Sequence, residues 1–323
     1  MRGAGRGGPG RAAGAGWSQH AEVHGRPRRS LPEMSAALSP ATRVATHPLD
    51  ASFGAELTGL TIAGDAPAAD VAAFLAALHR HHVVLIRNVP NDPGAQVAFS
   101  RRLGPLELHS GTTHTHPLHP EIFCVGNYEA DGIKANFATG VEQWHADSSF
   151  RAVPSAASLF YGAICPPEGG ETWFLDAQAA HDDLDAAMKA RIEGLTAVHD
   201  LATLYAWNAR HTPGRPPLSE DARRKFPPMP QPLVRTHPVT GRRSLFLCPA
   251  VISHIEGMDA EEGRALIEAL MAHASQECYL YRHRWRAGDL VAWDNRSVLH
   301  TASLFDHTRH TRLMFRTTVA GTA

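Results

Sequence analysis

The sequence predicts an antiparallel β core with helices packed outside it, a mostly β fold with helices. Three observations carry this expectation. Short apolar, strand-like runs outnumber the helical stretches. Helices and strands do not alternate as βαβ units require. No internal repeat sets up a solenoid or propeller.

Residues 1–40 read as a disordered Gly/Ala/Arg-rich tail. They lack the apolar core of a secretory signal, and "GAGRGG" follows no strand, so it reads as low complexity rather than a phosphate loop. Met34 is the more natural start, and one domain is expected over 41–323. "DVAAFLAALHRHH" repeats apolar residues at helical spacing through Val71, Phe74, Leu75 and Leu78. "VVLIRNV" is a short buried strand, and "PGAQVAFSRRLG" is a second helix, stopped by Gly104 and Pro105. Residues 107–140 are rich in His, Gly, Thr and Asn. They read as a loop region near a site, with one strand in "EIFCVGN".

"AASLFYGAICP" and the end of "PPEGGETWFLD" are strands, and "AQAAHDDLDAAMKARIEGL" reads as one helix. Residues 205–232, full of prolines and charges, look like a long insertion. "HPVTGRRSLFL" suggests a hairpin around Thr240-Gly241, and "DAEEGRALIEALMAHAS" a helix capped by Asp259. "YLYRHRW", "DLVAWDN", "SVLH" and "TRLMFRTTVAG" complete the strands.

Composition narrows the function. Formal net charge is −1, so the chain lacks the basic excess of a nucleic-acid surface. No apolar run approaches the length of a membrane span. The four cysteines show no C-x-x-C spacing, which argues against a disulfide framework and fits a reducing cytoplasm. Histidine is enriched, at 21 residues, which favours metal or proton chemistry.

In "VEQWHADSSF", His145 and Asp147 are two residues apart. In an extended segment both point to one face, as two metal ligands must, although an exposed strand of alternating polar residues has the same pattern. Non-heme Fe(II) oxygenases hold iron with two His and one carboxylate. The best distal histidine is His300, at the end of "DLVAWDNRSVLH". His237, His254 and His283 lack that strand-turn context. His114, His116 and His119 have loop spacing but no carboxylate or cysteine to complete a second site. In "HTRLMFRTT", Arg312, Met314 and Arg316 share one strand face, so two guanidiniums enter one cavity. Buried cations need anionic partners, here an organic diacid cosubstrate and an acidic substrate.

With these segments in place, the chain resembles the Fe(II)/2-oxoglutarate-dependent dioxygenases of the taurine and 2,4-dichlorophenoxyacetate group. The resemblance covers about residues 45–321. "RLGPLE", "WHADSSF", "PPEGGETWFLD", "PLVRTHPVTGRRSLF", "GDLVAWDNR", "VLH" and "RLMFR" fall in the family's order. "WHADSSF", "SHIEG" and "YRHRWRAGDLVAWDNRSVLH" lean toward the phenoxyacetate branch. The resemblance implies a double-stranded β-helix (jelly roll) with flanking helices and a long insertion. It implies Fe(II) on His145, Asp147 and His300, and a small acidic organic substrate that is hydroxylated as 2-oxoglutarate and O₂ yield succinate and CO₂. Arg312 and Thr172 match the residues that bind 2-oxoglutarate. Arg316, and more loosely His109, Tyr205 and Val251, match substrate-binding positions. An aryloxyalkanoate is the expected substrate class, with a sulfonate or alkyl sulfate as the alternative. Loss of Arg316 is expected to raise KM with little effect on iron. A homo-oligomer, dimer to tetramer, is compatible with the family.

Overall fold

A computed structural model of the chain describes residues 43–108, 114–139, 142–211 and 217–322. The tail expected to be disordered lies outside the described residues. The described residues form a mixed α/β structure with seven α-helices and mostly antiparallel sheets.

The large sheet has eight strands, in the order Ala45–Pro48, Ala55–Thr58, Val83–Ile86, Leu290–Asp294, Ala157–Ile164, Leu313–Val319, His119–Gly126 and Thr115–His116. A smaller sheet pairs Leu280–His283, Thr172–Asp176 and Val298–Ala302. Side-chain alternation decides what each face meets. Leu290, Ala292, Leu313 and Phe315 pack against the helices Ala68–His81 and Pro93–Arg101 through Phe74, Leu78, Val97 and Phe99. Val291, Trp293, Phe160 and Met314 point the other way, into an apolar layer shared with Phe174 and Val298 of the small sheet. Leu175 and Leu299, on the outer face of that sheet, join a third cluster with Ala180, Leu266, Ile267 and Leu270 from the helices Ala177–Asp182 and Ala260–Ala274. The result is four layers, helices, sheet, sheet and helices, and the inward side chains of the two sheets meet in the space between them.

The turn between Asp294 and Val298 carries the chain from the large sheet to the small one. The second strand runs past His300 to Ala302, longer than the sequence pattern suggests. The helix expected over 177–195 is two helices, Ala177–Asp182 and Ala186–Ile192. Asp185 accepts from the Met188 amide and caps the second, so this aspartate ends one helix by starting the next. The presumed insertion begins inside the helix Leu201–His211 and contains the helix Glu220–Lys225 and the strand Met229–Pro232. No helix among the described residues is long and apolar enough to cross a membrane.

Candidate active site

The site is built where the two sheets face each other. Thr172 and Phe174, then Val298 and His300, alternate inward from the small sheet. Ser158, Phe160, Met314 and Arg316 alternate inward from the large one. His145 reaches the small sheet through an isolated antiparallel bridge to His300. The two residues exchange both backbone hydrogen bonds, at 3.0 and 2.8 Å. This pairing across 155 positions of sequence brings the imidazole centroids to 4.1 Å.

His145 Nδ1 lies 2.7 Å from the Gln143 carbonyl. A carbonyl only accepts, so Nδ1 carries the proton and Nε2 keeps its lone pair. Ala146 turns away into the hydrophobic core. Asp147 comes back to the face of His145, and its Oδ2 lies 3.9 Å from His300 Nε2. One ligand-type atom from each of His145, Asp147 and His300 falls within 4.8 Å of the others. Burial pushes both imidazoles below the ordinary histidine range, so each is neutral, the form that ligates metal. Burial pushes the Asp147 carboxyl up, but the Arg316 guanidinium and the Ser158 hydroxyl outweigh it and hold the group ionised. Two neutral imidazoles and one carboxylate suit ferrous iron.

Arg312 and Arg316 both point into this space. The Arg316 guanidinium donates to Asp147 Oδ1 at 2.7 Å, and its Nε is buried without a hydrogen-bond partner among the described residues. Arg312 is buried, and among the described residues it has no carboxylate partner. Its Nη2 reaches only the Gly170 carbonyl, at 3.4 Å, and its Nε is unpartnered. Burial alone pulls this guanidinium down to about 10, so it is still a cation at neutral pH. Thr172 lies two residues beyond Gly170, and its hydroxyl accepts from the Trp285 indole at 3.0 Å. Phe160 packs against both Trp285 and the Arg312 guanidinium, so Thr172 and Arg312 share one neighbourhood.

The family described as "Taurine catabolism dioxygenase TauD, TfdA family" matches residues 45–318. The chain belongs to this family. TauD/TfdA relatives extend over nearly all of it. A Burkholderia sp. (strain RASC) "Alpha-ketoglutarate-dependent 2,4-dichlorophenoxyacetate dioxygenase" is 36% identical over 285 residues, covering 84% of this chain and 92% of the relative. A Sphingobium herbicidovorans "(S)-phenoxypropionate/alpha-ketoglutarate-dioxygenase" is 33% identical, covering 88% and 96%. Among solved structures, AAD-2 in complex with Mn(II) and N-oxalylglycine aligns with a TM-score of 0.73 at 31% identity, covering 87% of this chain and 98% of that one. This TauD/TfdA protein is accordingly a 2-oxoglutarate-dependent dioxygenase that uses Fe(II), 2-oxoglutarate and O₂.

The remaining expected site residues are placed less centrally in this TauD/TfdA chain. His109 lies outside the described residues. Tyr205 is half-buried on the helix Leu201–His211. Val251 is buried in the cluster that also holds Ala146. Neither Tyr205 nor Val251 makes a hydrogen bond or ring contact to the triad among the described residues. The His116 and His119 rings lie tilted with centroids 5.2 Å apart, but no third metal-ligand side chain joins them among the described residues. A second convergence, His79, His237 and Asp294, is already filled. Arg296 takes both Asp294 oxygens, at 2.8 and 2.6 Å. His237 donates from Nε2 to Asp294, while its Nδ1 accepts the amides of Val239 and Thr240. With both ring nitrogens engaged, His237 has no lone pair for a metal.

Sequence reasoning missed Ser158, Trp293 and Asn295. Ser158 donates to Asp147 Oδ2 at 2.6 Å, Asn295 accepts from the Asp147 amide at 3.2 Å, and Trp293 packs on the His300 ring at 4.7 Å. The "DNR" turn after an apolar strand was the only signal, and it does not reveal what the turn touches.

Proposed function

We propose that residues 41–323 form one double-stranded β-helix (jelly roll) domain that hydroxylates a small aryloxyalkanoate-type carboxylate. The two facing antiparallel sheets support the fold reading. In this reading His145, Asp147 and His300 hold the iron, Arg312 and Thr172 hold the far carboxylate of 2-oxoglutarate, and Arg316 anchors the substrate anion. When bound, the ferrous centre couples decarboxylation of 2-oxoglutarate, giving succinate and CO₂, to insertion of one O₂ oxygen into a substrate C–H bond. The chain supplies placement. Arg312 offers a fork-shaped donor pair to a carboxylate, with Phe160 packed on its guanidinium and Trp285 behind that ring. Arg316 is fixed at one end by Asp147, so an anion on its free edge is registered against the triad. In an aryloxyalkanoate, hydroxylation of the carbon beside the ether oxygen gives a hemiacetal that collapses to a phenol and a keto or aldehyde acid.

The single observation that carries this reading is the inward Arg312–Arg316 pair beside the triad, with a buried, unpartnered Nε on each. Two relatives are named for phenoxy acids, which favours that substrate class. A Pseudomonas putida relative, 30% identical, is named "Alpha-ketoglutarate-dependent sulfate ester dioxygenase" and keeps the alternative in view. Free cysteines and the absence of a membrane-crossing helix among the described residues support a cytoplasmic enzyme. The test is succinate release, with and without Fe(II), across aryloxy acids, sulfonates and alkyl sulfates. Release coupled to phenol formation supports the aryloxy reading. Coupling only to sulfonates or sulfate esters overturns the substrate class, and absence of Fe(II)-dependent succinate overturns the site.

A further inference from the structure

Asp147 is held through both its backbone and its side chain by a closed ring of hydrogen bonds. The Asp147 amide donates to Asn295 Oδ1 at 3.2 Å. Asn295 Nδ2 donates to Ser158 Oγ at 3.1 Å. Ser158 Oγ donates to Asp147 Oδ2 at 2.6 Å. Asp147, Ser158 and Asn295 are 6%, 0% and 2% exposed, so water offers no substitute for these bonds. The direction of each bond is determined. The amide of Asp147 can only donate, so it requires the Asn295 oxygen. The Trp293 indole N–H, 2.9 Å from the same oxygen, requires it too. The Asn295 nitrogen is left to donate to Ser158, whose one hydroxyl proton goes to the ionised carboxylate. A flipped amide breaks three contacts at once.

The ring also reaches the distal ligand. The indole that Asn295 holds packs on the His300 imidazole with centroids 4.7 Å apart. Asn295 sits at the crossover turn between the sheets and Ser158 on the large sheet. The two residues therefore tie the carboxylate ligand, and the wall behind His300, to the frame of the fold. Arg316 takes the other Asp147 oxygen.

We infer that Ser158 and Asn295 are positioning residues for iron, a single connected pair that fixes the direction of the Asp147 carboxylate. The inference rests on the triad reading above. Groups that orient a metal's carboxylate ligand typically change its affinity by about 10–100-fold when removed.

The test is a Mn(II) titration of metal-free full-length protein, followed by electron paramagnetic resonance of the free ion, with thermal melting measured alongside. Folded Ser158→Ala and Asn295→Ala should each bind Mn(II) at least about tenfold more weakly than the native chain. The double variant should lose no more than the worse single one, because one chain of bonds is broken in each case. Ser158→Thr, which keeps the hydroxyl, should recover most of the affinity. Ser100→Ala removes an equally buried hydroxyl bond, to Thr317 at 2.7 Å, on the helix-facing side of the large sheet; it should lower melting temperature and leave Mn(II) affinity native. A loss below about tenfold in folded Ser158→Ala, or no recovery in Ser158→Thr, overturns the inference. So does an equal Mn(II) loss in Ser100→Ala, which would mark a general stability effect. If Asn295→Ala does not fold, the Ser158 pair decides. If the native chain itself binds no Mn(II), the triad reading fails instead.

Discussion

At the residue scale, the fate of two arginines separates the roles in the site. Arg312 is a buried cation without a carboxylate partner among the described residues, a costly arrangement unless an anion joins it. Arg312→Ala should raise the KM for 2-oxoglutarate roughly a hundredfold, from the loss of about 3 kcal/mol of charge-assisted hydrogen bonding. Steady-state rates at varied 2-oxoglutarate check this, and an unchanged KM rules out the role. Arg316 differs, because it touches Asp147 directly. The sequence alone suggested that its loss would spare the metal. The structure predicts otherwise: Arg316→Ala should raise the KM for the acidic substrate and also weaken metal binding, since Asp147 Oδ1 loses its donor. Measuring substrate KM together with Mn(II) affinity distinguishes the double effect from the single one. The triad and both arginines were legible in the sequence because each belongs to a short motif with a defined strand direction. Ser158 and Asn295 were not, because serine and asparagine occur everywhere and only a contact between sheets gives these two a purpose.

Among elements, the turn that enters the Thr172–Asp176 strand is constrained by the site itself. Gly170 has φ +65°, and a Cβ there would sit 3.3 Å from Arg312 Nε. Gly170→Ala therefore combines left-handed backbone strain with a push on Arg312, the arginine proposed to hold 2-oxoglutarate. It should raise the KM for 2-oxoglutarate more than it lowers the melting temperature; the reverse ranking would show the turn to be merely structural. By contrast, Asp259 caps the helix Ala260–Ala274 through the Glu261 and Glu262 amides, far from the chemistry in the layer order. Asp259→Ala should cost about 1 kcal/mol of stability in a denaturant melt and leave kcat unchanged. That helix and its cap were readable because periodicity and cap agreed. The 177–195 stretch was misread because a continuous apolar period ran through Asp185, whose capping bond competes with the helix. The strands Ala45–Pro48, Thr196–His199 and Ile252–Ile255 were missed: each is four residues long, too short to show a period.

For the whole molecule, the buried ion network at the crossover turn sets the response to acid. Burial pushes the Asp294 carboxyl up, but Arg296 and His237 outweigh it and hold the group well below the carboxylate range. In the unfolded chain the same group titrates near 3.9. Its contribution to stability is therefore complete at neutral pH and is lost progressively as pH falls below about 5. Melting temperature should decline over that window even with metal absent, and a flat profile down to pH 3 would contradict the network. The antiparallel strands with helices outside them were legible from the short apolar runs, although the structure is mixed α/β rather than mostly β. Which sheet each strand joins was not legible, because the switch between sheets happens inside a tight turn. The peptide bridge between His145 and His300 has a thermodynamic corollary. In the proposed triad, the pocket for the ion exists only while two stretches far apart in the chain stay joined, so the denatured ensemble offers no comparable chelator. Ligation and unfolding are thus linked reactions, and a calorimetric scan becomes a binding isotherm: at free divalent ion a hundred times its dissociation constant, the native state should gain about 2.7 kcal/mol.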